Sequence, residues 1–389
     1  MTEKYFDNAI ATKPCEKARL AMRDAETLWQ CLSAPYQRSS QLRIQLQEWH
    51  RFLQQFFGFR DSDKLTFTSS SNEAITQIFN GVYKETIAQM GKNQIVHLYT
   101  DEAPILLATE DLKDYHVVAK AIDVSSTGGV LTKELLAEHI TARTALVSIS
   151  WAHGLTGVIN PLWELAELCE EEGVLMHVDA TEVIGKLYFH FQDLPIDYMT
   201  VDGSRIHAPY GTGILLTKRG SDLSPLIPDV LQQDGMRGGI FNTPGFAGFT
   251  AAVEELGIYA DHMCVEMIRL RDLFETLLLE KVPELQPLFQ EKERLPHVSV
   301  ITFPGIHAEH MQHALSFQKL YASRGGGIHQ ALDKVLEACG YPKEIALASL
   351  SFSFSRETTE EEIESAVSCI AETYTRLAKG SLDYAEMSS

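Results

Sequence analysis

The sequence predicts an α/β protein, with a large domain on a mostly parallel sheet and a smaller α+β domain after it. Between residues 95 and 219, short apolar segments alternate with helical stretches, which is typical of parallel strands joined by crossover helices. After about residue 250, a long amphipathic stretch precedes two further apolar segments, so we expect a change of architecture there. The 389 residues suffice for two or three domains and for a large core without disulfides.

Helical periodicity begins the chain, and strands and helices then alternate. The first predicted helices cover 16–32, 41–57 and 72–90. Strands are predicted at 95–99, 116–123, 144–151, 174–180, 197–202 and 213–219, with helices near 104–113, 132–140 and 161–173. Pro161 and Gly173 bracket the last of these helices, as is usual for a helix start and stop.

The C-terminal part combines long helices with two strands. We expect a helix over roughly 246–280, strands at 297–303 and 349–355, a glycine-rich turn at Gly325, Gly326 and Gly327, and a final helix. The predicted organisation is an N-terminal arm (1–13), a large domain (14–255), a small domain (256–380) and a loose tail (381–389).

Composition excludes several classes of protein. The net charge is −20 and the sequence pI is about 5.1, which argues against a nucleic-acid-binding or anionic-membrane-binding surface. The apolar fraction of 45 % and charged fraction of 22 % are those of an ordinary globular protein rather than a disordered or fibrous one. No apolar run approaches membrane-spanning length, and the first residues do not resemble a signal peptide.

The cysteines indicate free thiols in a reducing compartment. Six are scattered along the chain without a CxxC pair or zinc-ligand spacing: Cys15, Cys31, Cys169, Cys264, Cys339 and Cys369. Most lie in apolar helical contexts, so we predict buried thiols in a cytoplasmic protein with no metal site.

The most specific stretch is residues 174–219, which read VLMHVDATEVIGKLYFHFQDLPIDYMTVDGSRIHAPYGTGILLTKR. It resembles the class V aminotransferases of the fold-type I pyridoxal-phosphate superfamily, and most closely the cysteine desulfurases. Their pattern is a strand ending in HxDAxQxxGK, followed by D…SxHKxxGPxGxG. YFDNAIATKP near the N-terminus resembles YLDNAATTP of the same family, and the match continues in one register to RETTEEEI near the C-terminus.

The resemblance implies a fold-type I enzyme with a seven-stranded sheet and a pyridoxal-phosphate cofactor. It also implies a homodimer with both sites near the interface, formed by segments 1–60 and 230–250. In this register, however, the Schiff-base lysine falls on Arg205. A guanidinium stays protonated and cannot form a Schiff base, so we predict that covalent attachment of the cofactor is absent.

Other family positions are also changed. The nucleophilic cysteine falls on Ile328. The arginine that binds the substrate carboxylate falls on Ser351, because Arg356 matches a different arginine of the family. A serine cannot replace the guanidinium fork of a carboxylate clamp. The stacking histidine falls on Glu102, and the glutamine of DAxQ on Glu182.

Two further changes complete this pattern. The asparagine beside the cofactor falls on Gly154, next to His153, and the threonine of the GMRxGTxN segment, which reaches the partner subunit's phosphate site, on Ile240.

Part of the cofactor-binding pattern is retained. Asp179 stands where the family places the carboxylate that pairs with the pyridinium nitrogen. FTSSSNEA keeps Ser70 and Ser71 before Asn72 at a helix start, which is a potential anion site. Ser204 precedes Arg205 on the segment that carried the lysine.

Each retained residue also has a structural interpretation. Asp179 could be a satisfied strand-end carboxylate, the serines a helix cap, and His207 a packed turn residue. Arg205 could hold an anion or pair with Asp179 or Asp202, which would close the cleft.

Three functional hypotheses follow. The first is a pseudoenzyme with a binding or regulatory role, paired with itself, with an active paralogue or with a sulfur-acceptor protein. The second is an enzyme with altered acid–base chemistry, using Arg205, His153, Glu182 and His207 around a non-covalent ligand. The third is non-covalent binding of pyridoxal phosphate through Asp179 and Ser71.

Overall fold

A computed structural model describes residues 3–30, 32, 34–60, 62–221, 223–229 and 232–387. Its strands are β1 (Lys4–Tyr5), β2 (Lys64–Thr68), β3 (Gln94–Leu98), β4 (Val118–Ile122), β5 (Thr144–Ser150), β6 (Leu175–Asp179), β7 (Tyr198–Asp202), β8 (Gly213–Thr217), β9 (Gln286–Leu288), β10 (Val298–Thr302), β11 (Leu320–Tyr321) and β12 (Ser349–Ser353).

The α-helices alternate with these strands in the first part of the chain. They are α1 (Glu16–Ala25), α2 (Gln37–Phe57), α3 (Ser71–Val82), α4 (Ala88–Met90), α5 (Ala103–Asp111), α6 (Lys133–Ala137), α7 (Leu162–Glu171), α8 (Thr243–Asp261), α9 (Met267–Lys281), α10 (Ala308–Phe317), α11 (Leu332–Ala338), α12 (Lys343–Leu347) and α13 (Glu360–Met387). In the described part of the chain, no helix is both long enough and apolar enough to span a membrane.

The central sheet has seven strands in the order β2-β8-β7-β6-β5-β3-β4. Strand β8 runs antiparallel to both of its neighbours, whereas β7, β6, β5, β3 and β4 are mutually parallel. The predicted α/β fold with a mostly parallel sheet is therefore confirmed. Strand β5 is buried along its whole length because helices cover both faces of the sheet, as its apolar sequence TALVSIS indicates.

A second layer of structure follows the sheet domain. Strands β9, β10 and β12 form an antiparallel three-stranded sheet, against which α9, α10 and α13 pack. Buried apolar residues of α8 up to Leu256 belong to the core of the large sheet, and those from Met263 to Leu278, in the helical segment that follows, belong to the core of the small one.

The N-terminal arm connects the two parts. Strand β1 pairs in parallel with β11, and Phe6 lies in the small core with its ring 4.9 Å from that of Phe354. A few residues further on, the Thr12 side chain donates to the Ser204 carbonyl at the edge of the large sheet. The arm therefore contacts the small core through Phe6 and the segment that follows β7 through Thr12.

The structure differs from the predicted elements at several points. The helix predicted for 16–32 ends at Ala25, strand β2 was not predicted, and the helix predicted for 246–280 contains a π-helical turn at His262–Glu266. Helix α13 continues to Met387, into the segment from residue 381 that is predicted to form the tail. The polar face of an amphipathic helix can stay in solvent, so the spacing of apolar residues does not show where α13 ends.

The small core supplies a direct stability test. Phe274 is fully buried and packs against Phe352 and Phe354. Phe274→Ala should lower the free energy of unfolding by about 3–5 kcal/mol, because it removes a large buried ring and leaves a cavity. Thermal or urea unfolding of the purified variant measures this loss.

The control is Phe317→Ala on α10, where the ring is 77 % exposed. This change should stay within about 0.5 kcal/mol of the wild type. Equal effects of the two substitutions would contradict the packing of the small core.

Candidate active site

A cavity of about 260 Å³ opens at the carboxyl ends of β6 and β7. Ligand sites in open α/β sheets commonly lie at this edge. Six of the nine residues predicted to bind the cofactor or to take part in catalysis line it: Ser71, Asn72, Asp179, Glu182, Ser204 and Arg205. Tertiary folding therefore gathers most of the predicted site into one pocket.

Arg205 is immobilised by neighbouring acceptors. Its Nε atom donates to Glu182 Oε1 at 2.9 Å, and its Nη1 atom donates to the Ile10 carbonyl and to Ser204 Oγ. Burial alone would lower the pKa of this guanidinium, but the carboxylates of Glu182 and Glu102 outweigh burial and raise it. Arg205 is therefore a fixed cation, and its ion-pair partner is Glu182 rather than Asp179 or Asp202, which the sequence had suggested.

Asp179 ends β6 and is buried in the cavity wall. Its Oδ1 atom accepts hydrogen bonds from the Thr181 backbone, the Thr181 hydroxyl and the Thr200 hydroxyl, at 3.1, 2.6 and 3.2 Å. Burial nevertheless raises the pKa of Asp179 to about 7, since removal from water disfavours the charged form.

The start of α3 is occupied by carboxylates of the chain itself. Asp202 Oδ2 accepts from the backbone and hydroxyl of Ser71 at 2.9 and 3.3 Å, and its Oδ1 accepts from the backbone and hydroxyl of Ser204 at 2.9 and 2.6 Å. The Ser69 backbone donates to Glu73 at 2.8 Å. The groups that could bind an external anion at this helix start therefore already bind internal ones.

Ser70 caps α3, as the structural interpretation of the serines predicts. Its hydroxyl accepts from the Glu73 backbone at 3.3 Å. The helix approaches the sheet closely here, because a Cβ atom on Gly213 of β8 would lie 2.6 Å from the Ser70 carbonyl carbon. Glycine at this strand position thus places the α3 terminus beside Asp202.

Glu102 closes the opposite side of the cavity. Its Oε1 accepts from the Gly154 backbone at 3.0 Å, and its Oε2 accepts from the Gln330 amide. His153 does not line the cavity, and its Nε2 lies 4.0 Å from Glu102 Oε1. Gln330 belongs to the same 3₁₀ turn as Ile328, so this contact ties the turn to the large domain.

His207 faces away from this cavity. Its Nδ1 lies 2.9 Å from the Lys13 carbonyl, and it lines a second, much smaller cavity behind Arg205. Burial lowers the pKa of His207 to about 4, so the ring is neutral at physiological pH. The structure therefore brings Arg205 and Glu182 together in the larger cavity, which neither His153 nor His207 lines, whereas Arg205 and His207 share the smaller one.

One contributor to the site was missed in the sequence, and the role of another was mistaken. The sequence suggested Asp202 only as a partner of Arg205, although the predicted register aligns it with the serine of the SxHK motif. Gln330 gave no comparable signal, because its role depends on contact with the distant Glu102.

Comparison with known proteins identifies the class. The family model of aminotransferase class-V matches residues 4–365, and the chain belongs to this family. A cysteine desulfurase of Nostoc is 31 % identical over 320 residues, which cover 82 % of this chain and 79 % of that protein.

Cysteine desulfurase NifS of Azotobacter vinelandii is 27 % identical over 368 residues, covering 94 % and 90 % of the two chains. The structure of a NifS-like protein superimposes with a TM-score of 0.88 and 25 % identity, over 96 % of this chain and 100 % of that one. Another, from Rickettsia africae, has a TM-score of 0.85 at 21 % identity, over 96 % and 100 % of the two chains, and supports the fold. The chain is thus a cysteine desulfurase-like member of a pyridoxal-phosphate-dependent family.

The raised pKa of Asp179 predicts a pH-dependent contribution to stability. Because the folded pKa of about 7 exceeds the value of 3.8 for an unperturbed aspartate, the folded state holds an extra proton between those values. That stabilisation is lost as pH rises towards 7, by about 1 kcal/mol per pH unit. Asp179→Asn should lack this slope. The unfolding free energy of the variant minus that of the wild type should therefore rise between pH 4.5 and 7.5.

Taking the difference cancels the titration of the buried histidines, which are present in both proteins. Asp24→Asn, on the exposed surface of α1, is the matched control and should leave the slope unchanged. A difference between Asp179→Asn and the wild type that stays constant with pH would show that the Asp179 carboxyl is ionised throughout this range.

Proposed function

We propose that this protein is a non-catalytic member of the cysteine desulfurase-like group, with a binding or regulatory role. The observation that carries the proposal is the guanidinium of Arg205 at the position of the Schiff-base lysine, held by Glu182 and by the Ile10 carbonyl. A guanidinium that stays protonated cannot act as the amine nucleophile. Covalent attachment of the cofactor is therefore absent in this proposal.

The remaining cavity does not fit pyridoxal phosphate. Bound in the family's mode, the cofactor would place a phosphate dianion at the start of α3, where Asp202 already accepts from Ser71. Glu102, Asp179 and Glu182 add further carboxyl groups to the wall, with Arg205 as its one cationic side chain in the described residues. These carboxyl groups, where ionised, repel an anionic ligand and so disfavour its binding in the cavity.

The sulfur-transfer step also lacks its nucleophile in this proposal. Ile328 stands at the position of the family's cysteine, and its neighbour Gln330 is bonded to Glu102. Cys339, the next cysteine along the chain, is buried, and burial raises the pKa of its thiol to about 12. A protonated, buried thiol is a poor nucleophile.

One observation favours the second candidate, an enzyme with altered chemistry. Asp179 lines a 260 Å³ cavity and has a pKa of about 7, which suits a general acid or base. The separation of His153 and His207 from the cavity leaves Asp179 without a titrating partner of the predicted kind.

The binding role is proposed to use a dimer surface on the large domain. A groove of about 900 Å³ runs between α2 and residues 232–241, and Ile240 beside it is 92 % exposed. Trp29, in the other predicted interface segment, is 76 % exposed. Exposed apolar groups of this size are typical of interaction surfaces, and either a second copy or an active relative would cover them.

The first test concerns the cofactor. Purified wild-type protein with added pyridoxal phosphate should retain no pyridoxyl group after borohydride treatment and dialysis, measured by mass spectrometry of the intact chain. It should also release no sulfide from cysteine. A fixed pyridoxyl group on the wild type, or sulfide release above a cofactor-only blank, would overturn the proposal.

Two variants show whether the missing amine or the Asp202 contact prevents attachment of the cofactor. Arg205→Lys restores the amine alone, and Arg205→Lys with Asp202→Ser also frees the α3 donors. We expect cofactor fixation in the double variant and at least about tenfold less in the single one, because the phosphate must displace Asp202 there. Equal fixation in both would show that Asp202 does not obstruct the phosphate.

The second test concerns the dimer. Ile240→Glu should convert the wild-type dimer largely to monomer, because it places a charge in an apolar contact. Sedimentation velocity measures the distribution, with Phe317→Glu on α10 as the control that stays dimeric. A monomeric wild type, or a dimer unaffected by Ile240→Glu, would contradict the proposed interface.

A further inference from the structure

A second, smaller cavity lies behind Arg205, where the arm meets both parts of the chain. Its volume of about 20 Å³ is enough for one water-sized particle. Asn8 and Thr12 of the arm contribute to its wall, together with Lys186 from the loop after β6. From the small domain, His297 precedes β10 and Arg356 follows β12.

The wall contains buried polar atoms without partners. Among the described residues, Lys186 Nζ, Arg356 Nη1 and both ring nitrogens of His297 have no hydrogen-bond partner. These residues are 6, 6 and 1 % exposed. Since almost all buried polar groups in proteins are hydrogen-bonded, three such side chains around one cavity point to a bound species within it.

The charges define its sign. Lys186, Arg205 and Arg356 contribute three cations to the wall, and no carboxylate is among the described residues that line it. Glu182 lies outside the wall, 2.9 Å from Arg205 and 3.7 Å from Lys186. Arg356 is paired to Glu255 through Nη2 at 2.7 Å, which leaves Nη1 for the cavity.

The histidines add donors rather than charge. Burial lowers the pKa of His207 to about 4 and that of His297 well below its ordinary value, so both rings are neutral. A neutral ring carries one N–H, so His297 can donate one hydrogen bond to the cavity. Glu182, Glu102 and Glu255 lie near the three cations, but none of the three carboxylates lines the cavity.

We propose that this cavity binds a single monatomic anion of the chloride class. Such an anion accepts from the ammonium, the guanidinium and the ring N–H together. A water molecule could direct one hydrogen to the unprotonated ring nitrogen of His297, but the other unpartnered atoms of the wall, on Lys186 and Arg356, are donors. A phosphate or carboxylate exceeds the volume. The anion joins the large domain at Lys186 to the small domain at Arg356 and lies beside the arm.

The bound anion should stabilise the fold by mass action. Replacing gluconate with about 200 mM chloride at constant ionic strength should raise the wild-type Tm by about 2 °C, since gluconate is too large to enter. Constant ionic strength separates binding from screening. Lys186→Met removes one donor and its charge, and should abolish the chloride-dependent shift.

The control is Arg294→Met, which breaks a buried ion pair with Glu275 (2.7 Å) elsewhere in the chain. It should lower the Tm in both salts and keep the full chloride shift. This comparison separates loss of the anion from loss of any buried charge.

A direct measurement uses wild-type crystals grown in bromide. Anomalous scattering should show one bromide between Lys186, His297 and Arg356. Normal density for water without an anomalous peak, or an equal Tm in chloride and gluconate, would overturn the proposal. Both results are independent of whether the larger cavity binds pyridoxal phosphate.

Discussion

The fixed guanidinium of Arg205 is the constraint on which the rest of the site depends. It lies between the Glu182 carboxylate of the large domain and the Ile10 carbonyl of the arm. This contact draws the arm over the carboxyl ends of β6 and β7, while Phe6 of the same arm is anchored in the small core. One cation therefore joins three segments of the chain and fills space beside the cavity.

Carboxylates of the chain take the places where an enzyme of this family would hold an anionic ligand. Asp202 accepts from the start of α3, and Glu73 accepts from Ser69 and pairs with Arg237 at 2.9 Å. These contacts satisfy helix-terminal donors without a ligand.

Most elements of the fold could be predicted, because periodicity reports burial directly. Strands β5 and β6 lie within a residue of their predicted bounds, since an apolar run enclosed by helices has one stable arrangement. Strand β2 was missed because Lys64–Thr68 is short and pairs only with β8, far along the chain. The end of α1 was misplaced because the apolar pattern continues past Ala25.

The sequence by itself determined the family, and its predicted register places Arg205 and Ile328 at the family's lysine and cysteine positions. Only the tertiary structure decided how the side chains of the site pair. Asp202 and Ser71 are 131 positions apart, and Glu182 was one of several carboxylates that could have met Arg205. Motif spacing shows which residue corresponds to which position of the family pattern. Ion pairs and cavities arise from packing between distant segments of the chain, and no local sequence pattern shows which of those segments meet.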